Sequence, residues 1–159
     1  MGDNKNFHTV RGYEIIEKEK KNLTHSMEDY LEMIYRIYSQ EGVISISSIS
    51  EALNVQPPSA TKMVQKLTKL GYIDYVRYGS ICLTEKGEEV GKFLLERHEI
   101  IEEFLKNIGV EKELLINIEL MEHNLTRDAL LRIKVLNDFL KENDEVKRKL
   151  EDYFISLVK

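Results

Sequence analysis

Hydrophobic residues recur at every third or fourth position through most of this chain, the spacing that places them on one face of an α-helix. The first such run predicts a helix over about residues 27–39, with Ser26 as its N-cap and an end before Gly42. Its apolar face consists of Tyr30, Ile34, Ile37 and Tyr38. The preceding residues 1–24 are mostly polar and form an N-terminal extension with room for one short helix.

The next two apolar runs predict a pair of short helices. The first makes two turns, and its apolar positions are Ile46, Ile49, Ala52 and Leu53. The second begins at the proline pair after Gln56, because proline fits the first turn of a helix, and it is closed by Gly71. Its apolar face consists of Met63, Val64, Leu67 and Leu70. Two short helices joined by a tight turn form a helix-turn-helix.

The pattern then changes to runs of β-branched and aromatic residues. Y-I-D-Y-V-R-Y and S-I-C-L-T are separated by Gly79 and Ser80, which predicts a β-hairpin. A helix-turn-helix followed by a hairpin is a winged helix. Residues 25–86 are therefore predicted to form a winged helix-turn-helix DNA-binding domain. The pattern alone also fits a small α+β domain that binds no nucleic acid.

Beyond Thr84, which is placed to cap a helix, the pattern is helical to the last residue. Gly109 ends the first of these helices, and Thr126 caps the third. The four helices are predicted over about residues 85–108, 112–123, the run after Thr126, and 144–158. The fold class is mainly α, with an N-terminal winged helix-turn-helix followed by an all-helical domain over residues 87–159.

The composition is that of an ordinary folded protein, since 42% of the 159 residues are hydrophobic and 32% are charged. The apolar stretches are far shorter than the ~20 residues needed to cross a bilayer, and no signal peptide opens the chain. We therefore expect a cytoplasmic protein without a membrane partner. Cys82 is the lone cysteine, so it forms no internal disulfide, and we expect it to be buried as a small hydrophobic residue.

Charge is distributed unevenly along the chain. The net charge of −5 argues against a nucleic-acid partner, but between residues 56 and 78 only Asp74 opposes four basic residues, which are Lys62, Lys66, Lys69 and Arg77. This local excess predicts that the second short helix and the wing bind double-stranded DNA. The predicted DNA-binding residues are Pro58, Ser59, Thr61, Lys62, Gln65, Lys66, Arg77 and Tyr78.

One short stretch, E-L-M-E-H, brings three candidate metal ligands together. Helical spacing at i, i+3 and i+4 places Glu119, Glu122 and His123 on one face. Carboxylate oxygen and imidazole nitrogen are donors for divalent cations, but the same cluster also fits a solvated polar face. The same two interpretations hold for three further residues on helical faces, namely Asp29, Glu32 and His98.

Five ordered segments resemble the diphtheria toxin repressor family of metal-dependent transcriptional regulators. They are S-M-E-D-Y-L-E-M-I-Y, P-S-A-T-K-M-V-Q-K-L, Y-V-R-Y-G-S-I-C-L-T-E-K-G, R-H-E-I-I-E-E-F-L-K-N-I-G-V and E-L-M-E-H. The resemblance extends from about Thr24 to the C-terminus. It implies a homodimeric repressor that binds a palindromic operator, with residues 87–159 as its metal-binding and dimerisation domain. It also implies one or two metal ions per subunit, held by Asp29, Glu32, His98, Glu119, Glu122 and His123.

The resemblance also indicates which metal is sensed. Iron-sensing members of that family carry methionine and cysteine at the positions held here by Asp29 and Glu119. Carboxylate oxygen in place of sulfur favours the hard cation Mn²⁺, with Fe²⁺ as the alternative effector. Because the implied ligands come from both halves of the chain, we expect the cation to link them and to fix the spacing of the two recognition helices in a dimer.

Two functions of other kinds are also compatible with the sequence. A di-metal carboxylate enzyme built on a helical bundle needs Glu-x-x-His from two helices. His98 lacks that pattern, because Leu95 stands three residues before it. A winged-helix regulator of an organic ligand would leave the acidic residues on the surface. We expect a repressor of manganese or iron uptake genes and not an enzyme.

Overall fold

The computed structural model describes residues 13–18, 22–75 and 80–158. The chain divides into two compact units, with the boundary between Glu96 and Arg97. No helix in the described ranges is long and apolar enough to span a bilayer. The mainly helical fold, with a winged helix-turn-helix before an all-helical segment, is confirmed.

The first unit begins with helical backbone over residues 13–18, here α1, inside the predicted N-terminal extension. It is followed by α2 (His25–Glu41), α3 (Ile46–Ala52) and α4 (Pro57–Lys69). The N-cap of α2 is Thr24 and not Ser26, because the Thr24 side chain accepts a hydrogen bond from the Met27 amide at 3.4 Å. Gly42 ends α2 in the left-handed conformation, as its position predicted.

The helix-turn-helix is held together by a small apolar core. α2, α3 and α4 pack against one another. Ile34, Ile49, Val64 and Leu67 contribute fully buried side chains, one or two from each helix. Ser45 and Ser48 form a capping box that fixes the start of α3. The helical spacing of these apolar positions therefore predicted the core of this motif correctly.

The hairpin consists of β1 (Ile73–Tyr75) and β2 (Ile81–Leu83), which pair antiparallel with Asp74 opposite Cys82. Ile44 adds an isolated bridge to Ile81. Cys82 is exposed, so the expectation of a buried thiol was wrong. The reason is the two-residue alternation of a strand: Ile81 is buried, and its neighbour points to the opposite face.

The start of α5 (Glu85–Asn107) is fastened to the hairpin and to α2. The Thr84 hydroxyl accepts a hydrogen bond from the Gly87 amide at 3.0 Å, which confirms the predicted cap. A Cβ atom at Gly87 would lie 1.9 Å from the Tyr72 carbonyl oxygen, and one at Gly91 would lie 2.6 Å from the Tyr35 Cβ. Backbone and side chains thus approach α5 at distances that only glycine permits.

The second unit contains the rest of α5 with α6 (Leu114–Glu122), α7 (Arg127–Glu142) and α8 (Asp144–Val158). Thr126 caps α7 through a hydrogen bond from the Ala129 amide at 3.3 Å, as predicted. The buried apolar side chains of this unit are Ile101, Leu105, Ile118, Leu130 and Leu140. This core also contains a network of hydrogen-bonded side-chain amides, centred on Asn137, which is 1% exposed.

Candidate metal centre and nucleic-acid interface

The predicted recognition helix α4 separates an apolar face from a polar one. Ala60, Val64 and Leu67 lie on the apolar face and are buried in the core of the first unit. The exposed side chains include five of the residues predicted to contact DNA, namely Pro58, Ser59, Lys62, Gln65 and Lys66. This arrangement leaves a continuous polar and basic surface on α4, as direct reading of a major groove requires.

Two details of α4 refine the predicted contact set. The Thr61 hydroxyl is partly exposed and donates a hydrogen bond to the Pro57 carbonyl oxygen at 2.9 Å, so it has only acceptor capacity left for a base or phosphate. Lys69, which was not included in the predicted set, is exposed and lines a shallow groove with Gln65. The sequence signal for Lys69 was its position three residues after Lys66, which places both lysines on one face of a helix. Arg77 and Tyr78 of the wing lie outside the described residues.

The implied metal ligands divide between the two units: Asp29 and Glu32 belong to the first, whereas His98, Glu119, Glu122 and His123 belong to the second. Within α2, Glu32 is buried, and its Oε1 accepts a hydrogen bond from Nη2 of Arg36, one turn later, at 2.9 Å. Asp29 lies on the same helix with its side chain exposed. The Glu32 carboxylate is thus largely removed from water, and the Arg36 guanidinium compensates its negative charge.

The surroundings of α2 are acidic. Burial raises the pKa of Tyr35, and the carboxylates of Glu88 and Glu96 raise it further. Burial also raises the pKa of Tyr30. Both tyrosines are therefore neutral hydroxyls over the physiological pH range, and the negative charge in this region resides on carboxylates. A negative potential of this kind attracts a cation.

In the second unit, α5 and α6 bring His98 and Glu122 together. Nδ1 of His98 lies 2.7 Å from Oε1 of Glu122, and the two side chains are 16% and 4% exposed. Oε1 nevertheless has no hydrogen-bond partner among the described residues. The short distance and the missing hydrogen bond are compatible if the two atoms lie close together at angles unsuitable for a hydrogen bond. The result is a buried carboxylate oxygen that no described donor satisfies.

The donor chemistry of this pair fits a divalent cation. An unsatisfied buried carboxylate oxygen costs free energy, because its hydration is lost without replacement. An imidazole nitrogen and a carboxylate oxygen that converge at 2.7 Å offer two lone pairs to one ion. Of the other two predicted ligands in this unit, Glu119 is exposed on α6. His123 is partly buried and forms the C-cap of that helix.

Two family models match the chain. "Iron dependent repressor, N-terminal DNA binding domain" matches residues 22–81. "Iron dependent repressor, metal binding and dimerisation domain" matches residues 84–151. The first match contains α2, α3, α4 and β1 and ends at the first residue of β2. The second contains α5, α6 and α7 with the first half of α8.

Similar proteins are transcriptional regulators. The HTH-type transcriptional regulator MntR of Lysinibacillus sphaericus is 46% identical over 129 residues, which cover 80% of this chain and 93% of that protein. MntR of Bacillus subtilis is 45% identical, with 80% of this chain and 91% of that protein covered. The solved structure of the manganese regulator SloR superposes with a TM-score of 0.63 at 28% identity, covering 71% of this chain and 54% of that one. The chain thus spans about half the length of SloR.

Proposed function

The chain belongs to the iron dependent repressor family, and from this premise we propose that it is a manganese-activated repressor of metal-uptake genes. As a member of this family it is a metal-dependent transcriptional repressor, with a DNA-binding domain followed by a metal-binding and dimerisation domain. Manganese as the effector is supported by the MntR relatives and by the oxygen donors at positions 29 and 119. Fe²⁺ is the alternative effector.

The proposed ligands of one or two Mn²⁺ ions per subunit are Asp29, Glu32, His98, Glu119, Glu122 and His123. The observation that carries this proposal is the His98–Glu122 pair, in which a buried carboxylate oxygen lacks a hydrogen-bond donor. Glu32 of the first unit is also a buried carboxylate and offers the same kind of oxygen donor. Four carboxylates and two imidazoles of this kind suit a hard divalent ion.

A bound cation supplies positive charge and coordination to carboxylates and imidazoles that belong to both units of the chain. Without that charge, the carboxylates repel one another, and the two units lose a constraint on their arrangement. In a homodimer, that arrangement determines the distance between the two α4 helices. Two major-groove half-sites require recognition helices about 34 Å apart or a multiple of it. A cation that restricts the dimer to conformations with that spacing strengthens operator binding. The coupling free energy between metal and operator is expected to be about 1–3 kcal/mol.

The exposed face of α4 then reads the operator. Lys62 and Lys66 carry positive charge on flexible stems and suit phosphate contacts. Ser59 and Gln65 offer hydroxyl and amide groups that suit base edges. Because the dimer is two-fold symmetric, the proposed operator is palindromic.

The proposal is tested by fluorescence anisotropy on a duplex taken from the upstream region of a manganese transporter gene. Mn²⁺ should tighten binding by about 10- to 100-fold, and the Glu122→Gln variant should bind equally weakly with and without the metal. Glu111→Gln, which changes an exposed acid outside the ligand set, is the matched control and should respond as the unmodified protein does. A stronger response to Fe²⁺ than to Mn²⁺ under anaerobic conditions would assign iron as the effector. Equal binding with and without either metal would contradict metal sensing.

A further inference from the structure

The Glu32 carboxylate is paired with an arginine of its own helix. Nη2 of Arg36 donates to Oε1 of Glu32 at 2.9 Å, and the arginine and glutamate side chains are 35% and 11% exposed. The two residues are four positions apart on α2, with the acid nearer the N-terminus, which is the favourable order for such a pair. Because little water reaches the carboxylate, solvent and salt screen this pair less than they screen an ion pair on the surface. Glu32 and Arg36 therefore interact more strongly than their helical spacing alone would give.

A surface pair of the same spacing on α7 provides a comparison within the chain. Nε of Arg132 donates to Oδ2 of Asp128 at 2.8 Å, and these side chains are 79% and 77% exposed. Ion pairs this exposed contribute little to stability, because water screens them and both side chains lose conformational freedom. Neither residue belongs to the proposed ligand set. Burial of the acid and its place in that set thus distinguish the Glu32–Arg36 pair from an ordinary helical ion pair.

The charge of Arg36 is permanent. A guanidinium does not lose its proton in a protein, so a positive charge stays beside Glu32 at every physiological pH. Nη2 donates to the carboxylate, whereas the buried Nε has no hydrogen-bond acceptor among the described residues. Loss of the Glu32 contact would therefore leave further donors of a partly buried guanidinium unsatisfied, which costs free energy.

The same carboxylate is a proposed Mn²⁺ ligand, and the next step rests on that proposed function. A cation that binds Glu32 has to share the carboxylate with a group whose charge has the same sign. Either the guanidinium moves away and loses its hydrogen bond to Glu32, or the cation binds against the repulsion of the guanidinium. Both routes weaken metal binding relative to a protein with an uncharged side chain at position 36.

A hydrogen bond to a ligating carboxylate can also act in the opposite direction. A donor that holds the ligand in its binding orientation strengthens metal binding. A neutral donor does so without adding charge, whereas Arg36 brings a full positive charge to a carboxylate that is only 11% exposed. Repulsion between like charges in this poorly screened place outweighs the gain from orientation.

We infer that Arg36 is an intramolecular competitor of the metal ion: it neutralises Glu32 in the metal-free protein and lowers the affinity for Mn²⁺. The protein then responds at a higher Mn²⁺ concentration than its ligands alone would set. In the metal-free state, the pair also compensates a carboxylate that is buried. Arg36 acts through Glu32 and is not itself a ligand, because a guanidinium has no lone pair to donate.

The inference is tested by isothermal titration of the full chain with Mn²⁺ in the absence of DNA. Arg36→Met removes the charge but keeps a long side chain, and it should lower the dissociation constant about tenfold or more. Arg36→Lys keeps a positive charge and should bind Mn²⁺ within about threefold of the unmodified protein. Arg132→Met, which removes the arginine of the surface pair, is the matched control and should change the constant by about twofold or less.

Titration with Co²⁺ separates a charge effect from a change in the geometry of the site. Repulsion by Arg36 acts equally on ions of the same charge, so Arg36→Met should tighten Co²⁺ and Mn²⁺ binding by similar factors. An unchanged or higher dissociation constant for Arg36→Met, with normal Mn²⁺ binding by the unmodified protein, would overturn this inference alone. Absence of Mn²⁺ binding by the unmodified protein would contradict the proposed function as well.

A double-mutant cycle in the metal-free protein tests the pair without any metal. Urea unfolding of Glu32→Gln, Arg36→Met and the double variant gives the coupling free energy between the two side chains. This coupling should exceed that of the corresponding cycle with Asp128→Asn and Arg132→Met, because water screens the surface pair. Equal or smaller coupling at Glu32–Arg36 would show that the arginine does not hold the carboxylate, and it would overturn the inference whatever the metal response of the protein.

Discussion

Nδ1 of His98 lies 2.7 Å from Oε1 of Glu122, and that buried oxygen has no hydrogen-bond donor among the described residues. Burial removes hydration from this carboxylate, and the His98 imidazole is the described group that lies against Oε1 in its place. The same oxygen becomes an advantage when a cation binds.

The first prediction concerns Glu122→Gln. Removing the buried charge should leave the free energy of unfolding of the apo protein within about 1 kcal/mol of the original value. At Mn²⁺ concentrations 100 times the dissociation constant, the unmodified protein should gain about 2.7 kcal/mol, and the variant should gain almost nothing. Urea unfolding with and without Mn²⁺ measures both quantities. A variant that is stabilised by Mn²⁺ as strongly as the original would remove Glu122 from the ligand set.

The second prediction concerns the basic face of α4. Lys66→Ala should weaken binding to all duplexes to a similar degree, because a phosphate contact carries no base information. The magnitude of the slope of log K against log salt concentration should decrease by about 1.8, because each of the two subunits of the dimer loses one phosphate contact worth about 0.9. Titrations at several salt concentrations give the slope, and Lys112→Ala, an exposed lysine in the other unit, is the control. An unchanged slope would show that Lys66 does not contact phosphate.

The third prediction concerns the junction of the hairpin and α5. Gly87→Ala would place a Cβ atom 1.9 Å from the Tyr72 carbonyl oxygen, which already accepts a hydrogen bond from the Thr84 amide. Because backbone must move to relieve this overlap, the free energy of unfolding should fall by about 2 kcal/mol or more. Glu88→Ala, an exposed change in the same helical turn, should have little effect in the same denaturation experiment. Equal stability of the two variants would contradict the close approach.

The fourth prediction concerns the amide network of the second unit. Asn137 donates to the Ile100 carbonyl oxygen at 2.9 Å and accepts from Asn107 at 3.2 Å, and Lys147 donates to Asn107 at 2.9 Å. Asn137→Ala should lower the free energy of unfolding by about 1–3 kcal/mol, since buried polar groups lose their partners. The neighbouring exposed change Asp138→Ala is the control. Similar unfolding midpoints for the two variants would argue against the network.

Local features of the sequence predicted the elements well. Helical spacing located each helix that the structure describes after residue 24, and Thr84 and Thr126 cap helices as expected. The cap of α2 was misassigned because Thr24 and Ser26 have the same capping chemistry. Only the extended backbone of Thr24, with φ −80° and ψ 159°, decides between them. The helix over residues 13–18 was foreseen in the extension, but its place was not: Tyr13 packs edge-on against Phe93, with ring centroids 5.8 Å apart.

The sequence by itself determined the order of the helices and strands, the winged helix-turn-helix and the donor types of the implied metal ligands, because periodicity, caps and turns act between near neighbours. Only the tertiary structure decided that Glu32 and Glu122 are buried while Asp29 and Glu119 are exposed, although each pair has the same spacing on one helix. It also decided that Cys82 faces solvent and that Asn137 bonds to Ile100 across 37 positions. Burial depends on which distant segments pack on each face, and one chain's local pattern does not contain that information.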